Sequence, residues 1–371
     1  MILTLLAALL ISASGQVSNP AAGDANSALR RGIEAQERGD VNRAIEEYRK
    51  ALAINPELVE ARANLGAALA AAGQFDAAIA EDERALANAP DKTAIRKNLG
   101  LAYYKKGDLA GAMPEFEAVH KARPGDLSVS MLLGYCEVKL GRASAAVSLL
   151  KPLEHSMGNN PDFDFVLASA LIAAHREDEG LPMMEKVARA THSGEDYVIA
   201  GSERLHRREF KEARTDLDAA LQIDSSIPGL FTLAGQARDA LGDTGAAQSA
   251  FEAALHADAR DATANLYLGA ILLKQHDVES ARPHLEIALQ LQPQNPQAQL
   301  QMAKADAMSG KNEEAVALLE GLEKADPNWL DPHVELAPLY YKLHRPEDGK
   351  RERQIVAQIQ AKQQQSGPPK Q

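Results

Sequence analysis

The sequence predicts an all-α fold, an α-α superhelical solenoid of about ten helical hairpins. Three observations predict it. A 34-residue period runs through most of the 371 residues. Two fixed places in every period hold only Gly or Ala. The composition is rich in Ala and Leu and has 4% aromatic residues, which favours helix over sheet.

The segment Val59–Lys92 shows how one period becomes a hairpin. Leu65 and Leu69 lie at i, i+4, so they share one side of a first helix, A, over about Glu60–Ala71. Gly73 supplies the backbone freedom that ends it. Phe75 and Asp76 open a second helix, B, in which Ala78, Ile79, Ala85 and Leu86 form the apolar stripe. Pro90 cannot continue a helix and closes the repeat.

The same phasing starts repeats at 25, 59, 93, 127, 161, 194, 228, 262, 296 and 330, with steps of 34 residues except one of 33. The eighth place then reads Gly32, Gly66, Gly100, Gly134, Ala168, Gly201, Gly235, Gly269, Ala303 and Ala337. The twentieth runs from Ala44, Ala78 and Ala112 to Gly349, again only Gly or Ala. Glycine inside a helix costs about 1 kcal/mol relative to alanine. Its recurrence at one phase therefore calls for a packing reason, the close approach of helix A to helix B.

This period, the small residues, and the closing prolines Pro56, Pro90, Pro124, Pro293 and Pro327 resemble the tetratricopeptide repeat family over residues 25–364. Leu99-Gly100-Leu101-Ala102-Tyr103 and Ala112 to Phe116 match its motif closely. The sequence departs from it at Gly158, His192, Ser225 and Ala259, where the closing proline falls. It departs again at Glu137, Arg204, Arg238 and Asp306, in a slot usually large and apolar. Arginine can lay its stem along a groove and keep its head wet. Aspartate cannot, so the ninth repeat is expected to be looser at Asp306.

The ends and the middle read differently. Met1–Ile11 is an uninterrupted apolar run, and Ser12–Gly15 are small residues suited to a signal-peptidase cut. Residues 1–15 are expected to be a signal peptide and 16–24 a linker, which implies export to the periplasm or beyond. A cytoplasmic location is the alternative, because the run lacks a basic start. The run is too short for a membrane span, so no stable span is expected after signal removal. Residues 365–371 read as a disordered tail. His155–Asn160 and Thr191–Glu195 replace the proline stop with polar, Gly-containing stretches, and a softer joint is expected there.

Composition excludes several function classes. A net charge of −12 argues against nucleic acid, which needs a basic stripe. Cys136 is the single cysteine and reads as a small core residue. No His-Glu-x-x-His, phosphate loop or nucleophile elbow is present. His276/His284 and His333/His344 lack the spacing of helical ligand pairs. No catalytic residue, metal or cofactor is expected, and the chain reads as a non-enzyme.

What the resemblance implies is a scaffold that binds a protein or extended peptide in a concave groove lined by the A helices. In that family the second, fifth, sixth, ninth, twelfth and thirteenth places of helix A face the groove. The sixth place holds Asn64 and Asn98 in consecutive repeats, resembling two rungs of the asparagine ladder of the O-linked N-acetylglucosamine transferase solenoid. Either they hydrogen-bond an extended backbone or they tie neighbouring helices together. Tyr104, Lys105, Met131, Tyr135, Lys139 and Phe165 form an aromatic and aliphatic patch rimmed by lysines, either a binding hot spot or half-buried packing. The carboxylate clamp of the chaperone-binding members is not reproduced: Leu29, Ile33 and Ala94 stand in its places. Accessory service to an envelope enzyme or glycosyltransferase is the alternative role.

Overall fold

The computed structural model describes residues 20–366, and among them every regular element is a helix. The proposed signal segment 1–15 lies outside the described residues. They form two compact bodies, one ending at Thr191 and one beginning at His192.

The N-terminal body holds five hairpins. They are α1 (Pro20–Glu37) with α2 (Val41–Ile54), α3 (Val59–Ala71) with α4 (Phe75–Asn88), and α5 (Thr93–Lys106) with α6 (Leu109–Ala122). Next come α7 (Leu127–Lys139) with α8 (Ala143–Leu150), and α10 (Pro161–Ala173) with α11 (Glu177–Thr191). A 3-10 turn over Lys151–Leu153 and the short α9 (Glu154–Met157) follow α8.

The C-terminal body repeats the scheme with α12 (Gly194–His206) and α13 (Phe210–Ile223), α14 (Leu230–Ala240) and α15 (Thr244–Ala257), and α16 (Ala262–Lys274) and α17 (Val278–Leu291). It ends with α18 (Pro296–Met308) and α19 (Asn312–Ala325), then α20 (Leu330–Lys342) and α21 (Pro346–Ser366). Eight A helices begin at the residue from which the sequence was phased. The exceptions are α14, two residues late, and α1, which starts at Pro20. Residues 20–24, expected as linker, are therefore the first turns of a helix, and at the other end α21 carries through Ser366.

Local chemistry sets these boundaries. Asp40, Asp108, Asp243 and Asp277 cap B helices by accepting from a backbone N–H three residues on. Asp126, Asn160, Ser193, Asp261 and Asn295 do the same for A helices. The turn from A to B places its fifteenth residue in the left-handed region. Glycine holds that place in six repeats, Gly107 at φ 87° among them. His175, Arg208, His276 and His344 hold it in the other four, at φ of 58–63°.

The recurring glycine at the eighth place has a definite partner, the side chain sixteen residues later on helix B. A Cβ on Gly100 would lie 2.7 Å from the Phe116 ring, and one on Gly235 would lie 2.6 Å from Phe251. The aromatic rings thus rest on bare backbone. In the second repeat the partner is Asp82, wholly buried, with neither carboxyl oxygen hydrogen-bonded.

A second device fastens four of the hairpins to the one before. At the fourth place of helix A, a donor reaches back to the carbonyl six residues earlier, in the turn that closes the preceding hairpin. Arg62 donates to Pro56 O (2.6 Å), Asn265 to Ala259 O (3.1 Å) and Gln299 to Pro293 O (2.8 Å). His333 Nε2 meets Pro327 O at 3.1 Å. The same side chains clasp helix B, as in Arg62–Glu81 at 2.7 Å and His284 Nδ1 on Asn265 Oδ1 at 2.8 Å.

Three of the four polar residues in the apolar slot, Arg204, Arg238 and Asp306, are paired rather than wet or loose, while Glu137 is buried with its Oε2 lacking a hydrogen-bond partner. Arg282 Nη2 holds Asp306 at 2.8 Å, so the ninth repeat is closed there by an ion pair. Arg204 pairs with Asp216, and Arg238 with Asp218 at 2.6 Å. Expected wet heads become ion pairs, buried at Arg204–Asp216 and partly exposed at Arg238–Asp218, because a B-helix carboxylate lies within reach of each.

Candidate protein-interaction site

Within each body the A helices of successive hairpins touch: α1 with α3, α3 with α5 and α7 with α10 in the first, and α12, α14, α16, α18 and α20 in sequence in the second. A side chains at groove places therefore share one face.

In the N-terminal body, that face does not expose all the residues expected on it. Asn64 is wholly buried, and Asn98 keeps 5% of its surface, with its Nδ2 lacking a hydrogen-bond partner. Met131, at 3%, packs with Phe163 and Leu167. The reason is steric. Small neighbours at Ala61, Ala63, Ala67 and Ala68 let α3 and α5 draw together over the asparagines. The two rungs and Met131 thus lie under the face rather than on it.

The aromatic part of the patch is assembled. Tyr104 and Tyr135 meet edge to face, 5.7 Å between centroids and 73° between planes, a favoured arrangement of ring quadrupoles. Lys139 Nζ stands 5.6 Å from the Tyr135 centroid. Phe165 and Tyr135 both pack, half-buried, against the core around Met131. Lys105 is half-buried beside them and Lys139 exposed. Burial, with Tyr135 adding to it, pushes the Tyr104 hydroxyl up to about 12, so it remains a donor at any ordinary pH. Another lysine of this face, Lys97, is engaged by Asp126 at 2.7 Å.

The C-terminal body carries a site that the sequence reading missed. A cavity of about 280 Å³ is walled by Ser202, Leu205 and His206 of α12, Phe210 of α13, Leu233, Gln236, Asp239 and Ala240 of α14, and Tyr267 of α16. Apart from Phe210, these are sixth, ninth, twelfth and thirteenth places, so the phasing pointed at them. Aromatic density had directed attention to the other half of the chain. Leucines and Tyr267, stacked at 5.2 Å on Phe251, give the cavity an apolar floor. Ser202, Gln236 and Asp239 give it polar groups. The volume lies just below the range of drug-sized ligand pockets, roughly 300–1,000 Å³. It suits one or two protein side chains better than a large cofactor.

Nucleophilic chemistry has no foothold at Cys136. The thiol is buried, and burial followed by the Glu137 carboxylate pushes it up to about 12, which leaves no thiolate at neutral pH. No described helix is long and apolar enough to cross a membrane.

A stack of helical hairpins with a shared, mixed apolar and polar A face defines a repeat protein built for contact with other proteins. The chain belongs to the tetratricopeptide repeat family. A profile described as "Tetratricopeptide repeat" matches residues 70–134, 103–164 and 272–337, a second of that description matches 232–296, and a "TPR repeat" profile matches 36–73.

Similar solved structures include YrrB, titled a TPR protein with an unusual peptide-binding site. It shares 22% identity and a TM-score of 0.41 over 48% of this chain and 92% of that one. The APC/C hetero-tetramer Cut9–Hcn1 aligns at 14% identity and TM-score 0.47, over 90% of this chain and 73% of that one. MamA of Desulfovibrio magneticus RS-1 aligns at 20% and 0.40, over 46% and 96%. No curated protein matches the chain.

Proposed function

We propose that the chain is a non-catalytic scaffold of the cell envelope that binds an extended segment of a partner protein along its A-helix face. One observation carries this reading: the cavity between α12, α14 and α16 is built from the places that line this face. Its apolar floor accepts an aliphatic or aromatic side chain, while Gln236 and Asp239 can hydrogen-bond the backbone on either side. The Tyr104–Tyr135 pair, half-exposed beside Lys139, offers a second contact in the N-terminal body. The envelope assignment rests on the apolar run Met1–Ile11 and the small residues after it.

Affinity capture from the native envelope tests the binding face. Gln236→Ala with Tyr267→Ala should deplete a specific partner, and Tyr135→Ala should weaken its capture. Unaltered thermal unfolding must accompany both results. Equal recovery of every partner by parent and variants would remove the reading. N-terminal sequencing tests export, because an intact Met1 on the soluble protein contradicts it.

A further inference from the structure

The fourth-place clasp takes an unusual form in the last repeat. There His333 of α20 and Glu352 of α21 replace the Arg–Glu pairs of the second and third repeats. Both are buried, His333 at 1% and Glu352 at 0% exposure. Nε2 of His333 lies 3.1 Å from the Pro327 carbonyl, which only accepts, so Nε2 carries a hydrogen. Nδ1 then points at Glu352 Oε2, 2.7 Å away. A neutral imidazole presents a lone pair to a carboxylate at that distance. A positive species, a proton or a metal ion, has to stand between them.

A third group decides between the two. Glu323 of α19 occupies the twenty-eighth place, where five other repeats carry Leu52, Leu86, Leu221, Leu255 and Leu289. Its carboxylate makes no hydrogen bond or ion pair among the described residues. Ligand atoms of Glu323, His333 and Glu352 all lie within 4.8 Å of one another. A proton can satisfy the His–Glu pair, but it leaves a second carboxylate facing the first. Arg351 touches only the far oxygen of Glu352, at 3.3 Å, and is itself shared with Asp348; its charge and that of His333 reach Glu323 through space, against the opposing Glu352 and Glu320 carboxylates. A divalent cation answers both carboxylates at once.

We propose that Glu323, His333 and Glu352 form a binding site for a divalent metal ion of the zinc class. One imidazole and two carboxylates are donors that suit zinc. Fastening of Nε2–H to a backbone carbonyl is the usual outer support of a metal-bound histidine. Zinc–ligand bonds of about 2.0–2.1 Å set ligand atoms about 3.3 Å apart in a tetrahedron. The 2.7 Å contact must open slightly and Glu323 must swing inward, which its half-buried position allows. The fourth position is left for water.

The test uses the full, untagged chain freed of metal by chelation. Zinc titration by calorimetry, with cobalt absorption as a geometric probe, should give one tight site per chain and a zinc-dependent rise in Tm. Glu323→Leu installs the residue of five other repeats, and His333→Gln keeps the donor to the Pro327 carbonyl as Gln299 does for Pro293, so both variants should fold. Each should weaken that site by about tenfold or more and abolish the Tm rise. Absence of a tight site in the parent overturns the proposal. So does equal zinc affinity in Glu323→Leu, or cobalt bound only in octahedral geometry.

Discussion

Asp82 is the residue whose replacement should most improve this fold. It stands at the twenty-fourth place, over Gly66, where the other repeats up to the ninth carry Tyr48, Phe116, Leu150, Met184, Leu217, Phe251, Leu285 and Leu319. Its carboxyl is fully buried and neither oxygen has a hydrogen-bond partner. Burying an uncompensated polar group costs about 1–3 kcal/mol by mutational measure. A leucine there would gain about 1.5–3 kcal/mol from apolar burial. Leu150, Leu217 and Leu285 already lie on glycine in the same way, so the leucine fits, and repacking strain of about 1–3 kcal/mol takes back only part of the sum. Asp82→Leu is therefore expected to stabilise the N-terminal body by about 2 kcal/mol. For a body of this size that corresponds to roughly 4–8 °C in Tm.

The gain should depend on pH. Burial, with Glu81 beside it, raises the Asp82 carboxyl well above its ordinary 3.8. The folded chain then binds this proton more tightly than the unfolded chain. Stability from the protonated carboxyl is full below the unfolded value and drains as pH rises through the folded one. Circular-dichroism melts of parent and Asp82→Leu at pH 4, 6 and 8 should diverge as pH increases. Asp82→Asn should remove most of the pH dependence with a smaller gain. A leucine variant no more stable than the parent, or a stability difference that shrinks from pH 4 to 8, would refute the reasoning.

Other expectations follow from the same geometry. His276→Gly, at φ 63°, should gain about 0.5–1 kcal/mol in urea unfolding, since relief of about 1–2 kcal/mol of left-handed strain exceeds the extra unfolded-state entropy of glycine. A neutral or lower midpoint would count against it. Gly100→Ala should destabilise by about 1–3 kcal/mol despite alanine's better helix propensity, because its Cβ would meet the Phe116 ring at 2.7 Å; equal or higher stability in denaturant titration contradicts this. Cys136 should resist a thiol–disulfide reagent in native protein and react fully once unfolded, given its burial and raised thiol. Rapid native modification would show the pocket around it to be open.

Most of the fold could be read from the sequence because its instructions are local. A cap such as Asp126, a left-handed glycine such as Gly107 and a bare backbone such as Gly100 each act within one hairpin, so one phase located the starts of α3, α5, α7 and α10. The fate of the groove side chains is not local. Asn64 and Asn98 disappear from the surface because alanines on α3 let the next A helix approach, a property of two repeats together. The Tyr104–Tyr135 patch was legible because consecutive repeats put rings at nearby groove places. The cavity of the C-terminal body was missed because its walls are ordinary residues, Ser202, Gln236 and Leu233, distinguished only by their places. His333 and Glu352 are 19 residues apart, beyond any search for ligands on a single helix turn.

The bond from the fourth place back to the carbonyl six residues earlier has an outcome for the length of such chains. Because the fastening lies wholly within one junction, excising 34 residues in register between two junctions that carry it, such as those at Asn265 and Gln299, brings an equivalent donor to an equivalent carbonyl. Where a newcomer supplies an arginine, amide or imidazole at its entry turn, an array of this kind can therefore shorten or lengthen by a whole module with the clasp kept.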